Sequence, residues 1–319
     1  VIKLKVVGLK RLGKLEQHLV NKYQQIEFQF YAQAADIPEE ERQNIDILIG
    51  YDGHVDQSFL ESCPNLKWIA WYVTGVNSLP LNYVLQRGIQ LTNTRGVQAK
   101  QLAEYIVTFI LDDYKNMRKS YYNQRHHIYD STITGKRVSG STILFLGTGA
   151  IAQAAAQLLR PFNPEIIGIN RSNSLVDYFD DIYVITELYN VINKADIIIN
   201  TLPETEETYH LLKRKHFEYM KDNALFINVG RGTIIKENDL LEVMENNLIR
   251  HAYLDVFEHE PLSADHPLYD LDNVTITAHI TGNDYNNKID ATKIFERNLD
   301  HFLNNGKLIE NTVNAKNGY

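Results

Sequence analysis

Thr142-Ile143-Leu144-Phe145-Leu146-Gly147-Thr148-Gly149-Ala150-Ile151-Ala152 carries a short apolar run straight into a GxGxxA turn. Thr142–Leu146 reads as a strand, and Ala150–Arg160 as a helix stopped by Pro161. In such a turn Gly147 permits the tight bend, and Gly149 lets the backbone approach a pyrophosphate with no Cβ in the way. The third position needs only a small side chain, which Ala152 supplies. The helix start, with Thr148, Ala150 and Ile151, presents unpaired N–H groups and a positive dipole end to phosphate. A glycine-rich turn that binds nothing is the plain alternative. The placement between strand and helix favours a dinucleotide.

Working outward, strands continue on the C-terminal side at Glu165–Ile169, Asp196–Asn200, Ala224–Asn228, His251–Leu254 and Val274–Thr277. Ile197-Ile198-Ile199 and Leu225-Phe226-Ile227 are solidly apolar, as strands covered on both faces are. On the N-terminal side Lys3–Val7, Ile26–Phe30, Ile45–Gly50 and Lys67–Trp71 read as a second series, with helices at Lys14–Lys22 and Asp56–Ser62. Strands alternating with helices predict an α/β fold of doubly wound parallel sheets, Rossmann-like or flavodoxin-like in each of two domains. Two long amphipathic helices, Ala99–Arg118 and Asn286–Leu303, punctuate the series. They suggest that residues 99–283 form a dinucleotide domain inserted into a discontinuous domain made of 1–98 and 284–319. The polar stretch Lys119–Arg137 looks least structured and suits an arm on a partner subunit.

At roughly 150 residues per domain, 319 residues fit two domains. The net charge is 32 − 40 = −8. That balance, with no basic cluster, argues against a nucleic-acid partner, and no polybasic patch is present for a membrane surface. The lone Cys63 can make neither an internal disulfide nor a cysteine zinc site, and it reads as a small half-buried side chain after a helix. Val1–Val7 is too short an apolar run for a signal region, and no stretch is long enough to span a bilayer, so the expectation is cytoplasmic.

Strand ends carry the remaining chemistry. Gly168-Ile169-Asn170-Arg171-Ser172 has no carboxylate where an NAD ribose would want one. Arg171 and Ser172 suit a 2′-phosphate, so NADP(H) is favoured and NAD(H) remains possible. The bland reading of Arg171 is a solvated turn residue. Arg231, Glu260 and His279 follow three later strands. They make up the set that reduction of a 2-oxo acid needs: a guanidinium fork for the carboxylate, an imidazole acid, and a carboxylate partner that favours the imidazolium. Singly, each is as easily a surface charge or a hydrogen-bonded loop residue.

Together these motifs resemble the D-isomer-specific 2-hydroxyacid dehydrogenase family, from about Trp71 to Thr281. The similar segments are Asn200-Thr201-Leu202-Pro203-Glu204-Thr205 with Thr208, Phe226-Ile227-Asn228-Val229-Gly230-Arg231-Gly232, Asp255-Val256-Phe257 through Glu260-Pro261-Leu262, and Thr277-Ala278-His279-Ile280. The resemblance implies that Arg231 binds substrate, His279 is the acid/base and Glu260 its partner. Asp255 would sit near the nicotinamide carboxamide, with Gln98 facing the ring. Leu202, Pro203, Thr208, Val229 and Gly230 would line the cofactor. Val73, Thr74 and Gly75 would hold the substrate carboxylate through backbone N–H groups. A homodimer formed through the nucleotide domain is implied as well.

Asn170-Arg171-Ser172 resembles the NADP-using glyoxylate/hydroxypyruvate reductase branch, while Ala278 stands where proline is common. Formate dehydrogenases of this fold carry glutamine at the place of Glu260, which weighs against formate. The expectation of no C-terminal regulatory domain after Tyr319 weighs against phosphoglycerate. Trp71 and Tyr72 either wall the pocket or pack in the core. The rival functions are an NAD(P)-sensing, corepressor-like binding protein and a Rossmann enzyme of L-specificity. His126-His127 has no third ligand at metal spacing, the Glu39–Glu41 run reads as a helix start, and the Glu204–Glu207 run as a solvated loop.

Overall fold

The computed structural model describes residues 4–316, so the predicted strand start at Lys3 lies outside them. Its contacts divide the chain into two units, Val1–Val97 with Asp284–Tyr319, and Gln98–Asn283.

In the first unit, strands β1 (Lys5–Gly8), β2 (Glu27–Phe30), β3 (Ile47–Gly50), β4 (Trp68–Trp71) and β5 (Gln90–Thr92) form a parallel sheet of order β2-β1-β3-β4-β5. This is the flavodoxin-like doubly wound order. The helices up to this point are α1 (Lys14–Lys22), α2 (Glu39–Arg42), α3 (Gln57–Glu61) and α4 (Leu81–Arg87). On one face Trp68 packs with Val6, Ile47, Phe295 and Leu299, and its ring stacks on Phe295 at 5.2 Å. The Trp68 Nε1–H donates to Thr92 Oγ1 at 3.0 Å, which satisfies the one polar atom that a buried indole carries. Trp71 turns to the other face, 1% exposed, packed with Leu9, Leu48 and Val76 and edge-on to Tyr51. The core reading of Trp71 therefore holds and the pocket-wall reading does not. Cys63 is fully buried rather than half-buried, because the turn after α3 folds it under the same face.

The second unit opens with α5 (Ala99–Tyr114) and α6 (Met117–Arg125). Its strands are β6 (Thr142–Leu146), β7 (Glu165–Ile169), β8 (Asp181–Tyr183), β9 (Ile197–Asn200), β10 (Leu225–Asn228), β11 (His251–Leu254) and β12 (Val274–Ile276), paired in parallel in the order β12-β11-β10-β9-β6-β7-β8. Between them run α7 (Ala150–Leu159), α8 (Leu188–Ile192), α9 (Arg214–Glu218) and α10 (Glu237–Glu245); α11 (Asn287–Asn305) returns the chain to the first unit. Successive residues of β6, β9 and β10 go to opposite faces, and both faces are buried. Leu144, Ile198 and Phe226 enter one core; Ile143, Phe145, Ile197, Ile199 and Leu225 enter the other. This accounts for the unalternating apolar runs. The order reverses between β6 and β9, so ligands are expected outside the carboxyl ends of these strands.

Two expectations need correction. The helix read as Ala99–Arg118 breaks at Asn116, which takes a left-handed φ of 53° that asparagine tolerates better than most residues. Its amide donates to Thr134 O at 2.6 Å, which holds the bend. The stretch read as least structured is helical up to Arg125, as α6, with Asn123 buried beneath it. Among the described residues, no helix is long and apolar enough to cross a membrane.

Candidate active site

Gly147 adopts φ +92°, a region L side chains avoid, and a Cβ there would meet Leu202 and Thr201 side chains at 3.1 Å. Gly149 caps α7 with no side chain of its own, and a Cβ on it would point into open space. The first turn of α7 thus opens onto clear space, the arrangement that accepts a phosphate. Ala152 is fully buried under it and Ile151 partly so. Thr148 Oγ1 accepts from Asn170 Nδ2 at 3.2 Å, tying this turn to the end of β7. The residues present therefore fit a dinucleotide.

At the end of β7, Asn170 Nδ2 also donates to Ser174 O at 3.0 Å, and Ser172 Oγ lies 3.4 Å from Asn170 Oδ1. Arg171 lies 2.7 Å from Glu207 Oε2 in an exposed ion pair. Glu207 rides on the loop after β9. There Thr205 N–H donates to Thr208 Oγ1 at 2.8 Å and Thr208 Oγ1–H donates to Pro203 O at 2.7 Å. The Thr233 hydroxyl fastens Glu204 at 2.6 Å.

Asn200 and Asn228, fully buried at the matched ends of β9 and β10, form an amide relay. Asn200 Nδ2 donates to Asn228 Oδ1 at 2.9 Å, Leu202 N to Asn200 Oδ1 at 3.2 Å, and Asn228 Nδ2 to Arg231 O at 3.2 Å. Arg231 is half-buried, with Nη1–H donating to Gly230 O at 2.8 Å. Val229 sends its side chain into the core, so only its backbone is left to meet a ligand. Gly232 is packed so tightly on Phe257 that a Cβ would fall 1.9 Å from the Phe257 carbonyl carbon. The loops bearing Arg231 and Glu260 therefore touch backbone to backbone.

Glu260 bridges two partners. One carboxylate oxygen accepts from Phe257 N at 3.0 Å, and the other lies 2.8 Å from His279 Nδ1. With Nδ1 committed, Nε2 is the ring nitrogen that can present a proton to a substrate. His279 sits at φ +54° with its ring about half exposed. Asp255 holds that backbone in place. Its buried carboxylate accepts from Thr277 Oγ1 (2.5 Å), Ile280 N (2.9 Å), Thr281 N (3.2 Å) and Thr281 Oγ1 (2.6 Å), and Asp255 O accepts from His279 N at 2.8 Å. Beside it, burial pushes the Glu258 carboxyl up, but the Glu237 N–H at 2.8 Å and the His210 ring outweigh that and hold it below the usual carboxylate range.

The structure brings Arg231, Glu260, His279 and Asp255 onto touching loops, and Gly147 to Ile151, Asn170, Leu202 and Gly230 onto neighbouring strand ends. Gln98 lies against Gly282. Val73, Thr74 and Gly75 lie in the first unit, where Asn93 Nδ2 donates to Thr74 O at 2.9 Å. Sequence reasoning assigned no role to Asn200, Asn228 or Thr281, and it read Glu207 only as part of a solvated loop, as its 72% exposed side chain bears out. The two asparagines had a signal, since each closes an apolar strand with a polar residue. Glu207 had none, because its partner lies on another loop. His126 Nδ1–H donates to Tyr122 O at 2.7 Å, and among the described residues no group of three His, Cys, Asp or Glu side chains is placed to hold a metal ion.

A profile of the family described as D-isomer specific 2-hydroxyacid dehydrogenase, NAD binding domain, matches residues 107–281. A glyoxylate reductase of Thermofilum pendens is 31% identical over 77% of this chain and 74% of its own. A glyoxylate/hydroxypyruvate reductase B of Yersinia pestis is 30% identical over 84% of each. The crystal structure of a D-isomer specific 2-hydroxyacid dehydrogenase family protein from Aeromonas salmonicida superposes with a TM-score of 0.88 at 29% identity, covering 98% of this chain and 99% of that one.

Proposed function

The chain belongs to the D-isomer-specific 2-hydroxyacid dehydrogenase family and is an oxidoreductase using a nicotinamide cofactor; from that premise we propose that it reduces a small 2-oxo acid of the glyoxylate or hydroxypyruvate type to the D-2-hydroxy acid, with NADP(H) favoured over NAD(H). The observation that carries this reading is the His279–Glu260 contact at 2.8 Å, set beside the Arg231 loop by the Gly232–Phe257 packing.

When bound, the nicotinamide supplies the hydride in reduction and accepts it in the reverse direction. Arg231 clamps the substrate carboxylate and polarises the carbonyl, and its contact strengthens as negative charge grows on that oxygen. His279 delivers a proton from Nε2 to the oxygen while Glu260 holds Nδ1 and balances the ring's charge. Asp255, with its carboxylate occupied by four donors from Thr277 to Thr281, acts as a positioning residue for His279. The backbone N–H groups of Val73, Thr74 and Gly75 are assigned to the substrate carboxylate. Gly147, Thr148, Gly149, Ala150 and Ile151 take the pyrophosphate, Arg171 with Asn170 and Ser172 the adenosine end, and the loops through Leu202, Pro203, Thr208, Val229 and Gly230 the rest of the cofactor. A homodimer formed through the second unit is supported by exposed aromatic residues on and beyond α6, where Tyr121 is 55% and Tyr129 97% exposed; light scattering on the purified chain tests it.

The test of activity is oxidation of NADPH and of NADH against glyoxylate, hydroxypyruvate, pyruvate and a bulky 2-oxo acid. The expected result is turnover that prefers NADPH and a short substrate. Tight cofactor binding without turnover on any of the four would replace this reading with a cofactor-sensing protein.

A further inference from the structure

The guanidinium on which the NADP(H) preference rests is already engaged. Arg171 Nη2 lies 2.7 Å from Glu207 Oε2, although the two residues sit on different loops, after β7 and after β9. Neither loop leaves the pairing to chance. Asn170 anchors the first through Thr148 Oγ1 and Ser174 O. The second is closed on itself by the Thr205–Thr208–Pro203 hydrogen bonds and pinned by Thr233 on Glu204. The Glu207 carboxylate is thus presented at the place where a 2′-phosphate would have to dock, with its side chain 72% exposed and free of burial constraints on swinging away.

We propose that Glu207 is a specificity-determining residue that restrains NADP(H) binding by competing with the 2′-phosphate for Arg171. This rests on the reading that Arg171 meets the 2′-phosphate. The physical argument is a competition of anions for one cation. A cofactor with a free 2′-hydroxyl can bind with the pair closed. A phosphorylated one must displace the carboxylate and then tolerate a like charge beside it. Exposed ion pairs are weak because water screens them, so the restraint is a bias and not a block, worth about two- to fivefold in affinity. It fades at high salt for the same reason. The pair also gives Arg171 a partner when NAD(H) is bound, which suits an enzyme able to use both cofactors.

The test uses the full chain as wild type, Glu207→Gln, Arg171→Ala and the double variant. NADPH and NADH are titrated by the fluorescence of the reduced ring, and adenosine 2′,5′-bisphosphate is compared with AMP by calorimetry, so the readout needs no turnover. The expected result is that Glu207→Gln tightens NADPH and the bisphosphate about two- to fivefold and moves NADH and AMP less. That gain should disappear on the Arg171→Ala background, as a coupled pair requires. If Glu207→Gln tightens neither phosphorylated ligand, or all four ligands alike, while Arg171→Ala selectively weakens NADPH, the competition is refuted and the Arg171 reading stands. If Arg171→Ala leaves the NADPH-to-NADH affinity ratio unchanged, both fall together.

Discussion

The two ends of the strand-tip row in the second sheet are built to opposite standards. At β11 and β12 one buried carboxylate collects four donors, a glycine backbone is pressed against a phenylalanine carbonyl, and the histidine is held from both its ring and its chain. At β7 the arginine assigned to the 2′-phosphate meets Glu207 in an ion pair with both side chains mostly in solvent. The contrast suits the work proposed for each end. Proton delivery depends on placement, since a misplacement of about 1 Å can cost about a hundredfold in rate. Choosing between two cofactors needs only a difference in affinity, which an exposed, screened pair can provide.

The largest expected effect breaks the tight end. His279→Ala should lower kcat by about a hundred- to ten-thousandfold, the usual range for a general acid, with cofactor affinity nearly unchanged. A loss of less than tenfold, measured by steady-state kinetics, would place the acid elsewhere. Next, Asp255→Asn turns an acceptor toward donors that cannot all be satisfied. Chemical denaturation should show a loss of about 1.5–3 kcal/mol, with a fall in kcat that exceeds any change in NADPH affinity. An unchanged midpoint would mean that the four hydrogen bonds do not hold the loop.

The same strand supplies a pH test. β11 begins at His251, whose ring is pushed down to about 3 by burial and then by the positive charges of Arg118 and Arg250. It contacts Thr275 Oγ1 at 2.9 Å and is neutral in the folded chain at pH 5. The unfolded chain, at the ordinary imidazole value, takes up a proton below about pH 6.5, so stability falls as pH drops from there toward 3. Between pH 7 and pH 5 this one group should cost about 2 kcal/mol. His251→Gln should lose correspondingly less over that interval in parallel denaturation curves; equal losses would show that another group governs acid sensitivity. The smallest effect belongs to the loose end. Raising salt should narrow the NADPH affinity gap between wild type and Glu207→Gln, and a gap indifferent to salt would argue against an electrostatic origin.

Much of the fold was legible because its signals are local. The Thr142–Leu146 strand, the turn at Gly147 and the apolar runs at Ile197–Ile199 and Leu225–Ile227 report strand, bend and double burial from neighbouring residues alone. β5 and β8 were not read: β12 is equally short, but its Val274-Thr275-Ile276 is β-branched throughout, a signal that Gln90-Leu91-Thr92 and Asp181-Ile182-Tyr183 lack. The break at Asn116 escaped for a related reason. Helical spacing continues on both sides, and one residue in a left-handed conformation leaves no mark in a hydrophobic pattern. In the site, Arg231, Glu260 and His279 were recognisable as residue types at strand ends. What Asp255 and Glu207 touch depends on loops distant in sequence, and no motif encodes that.

The paired asparagines have one more consequence. Through Asn200 and Asn228 the loop that would line the cofactor and the loop that carries Arg231 share a continuous chain of amide hydrogen bonds. On the proposed function, this chain would make coenzyme and 2-oxo acid thermodynamically linked ligands. Whatever factor NADPH contributes to the affinity of an unreactive acid analogue, the analogue must return to NADPH in equal measure. Cutting the relay with Asn228→Ala should bring that shared factor toward one, so the two ligands would bind as strangers.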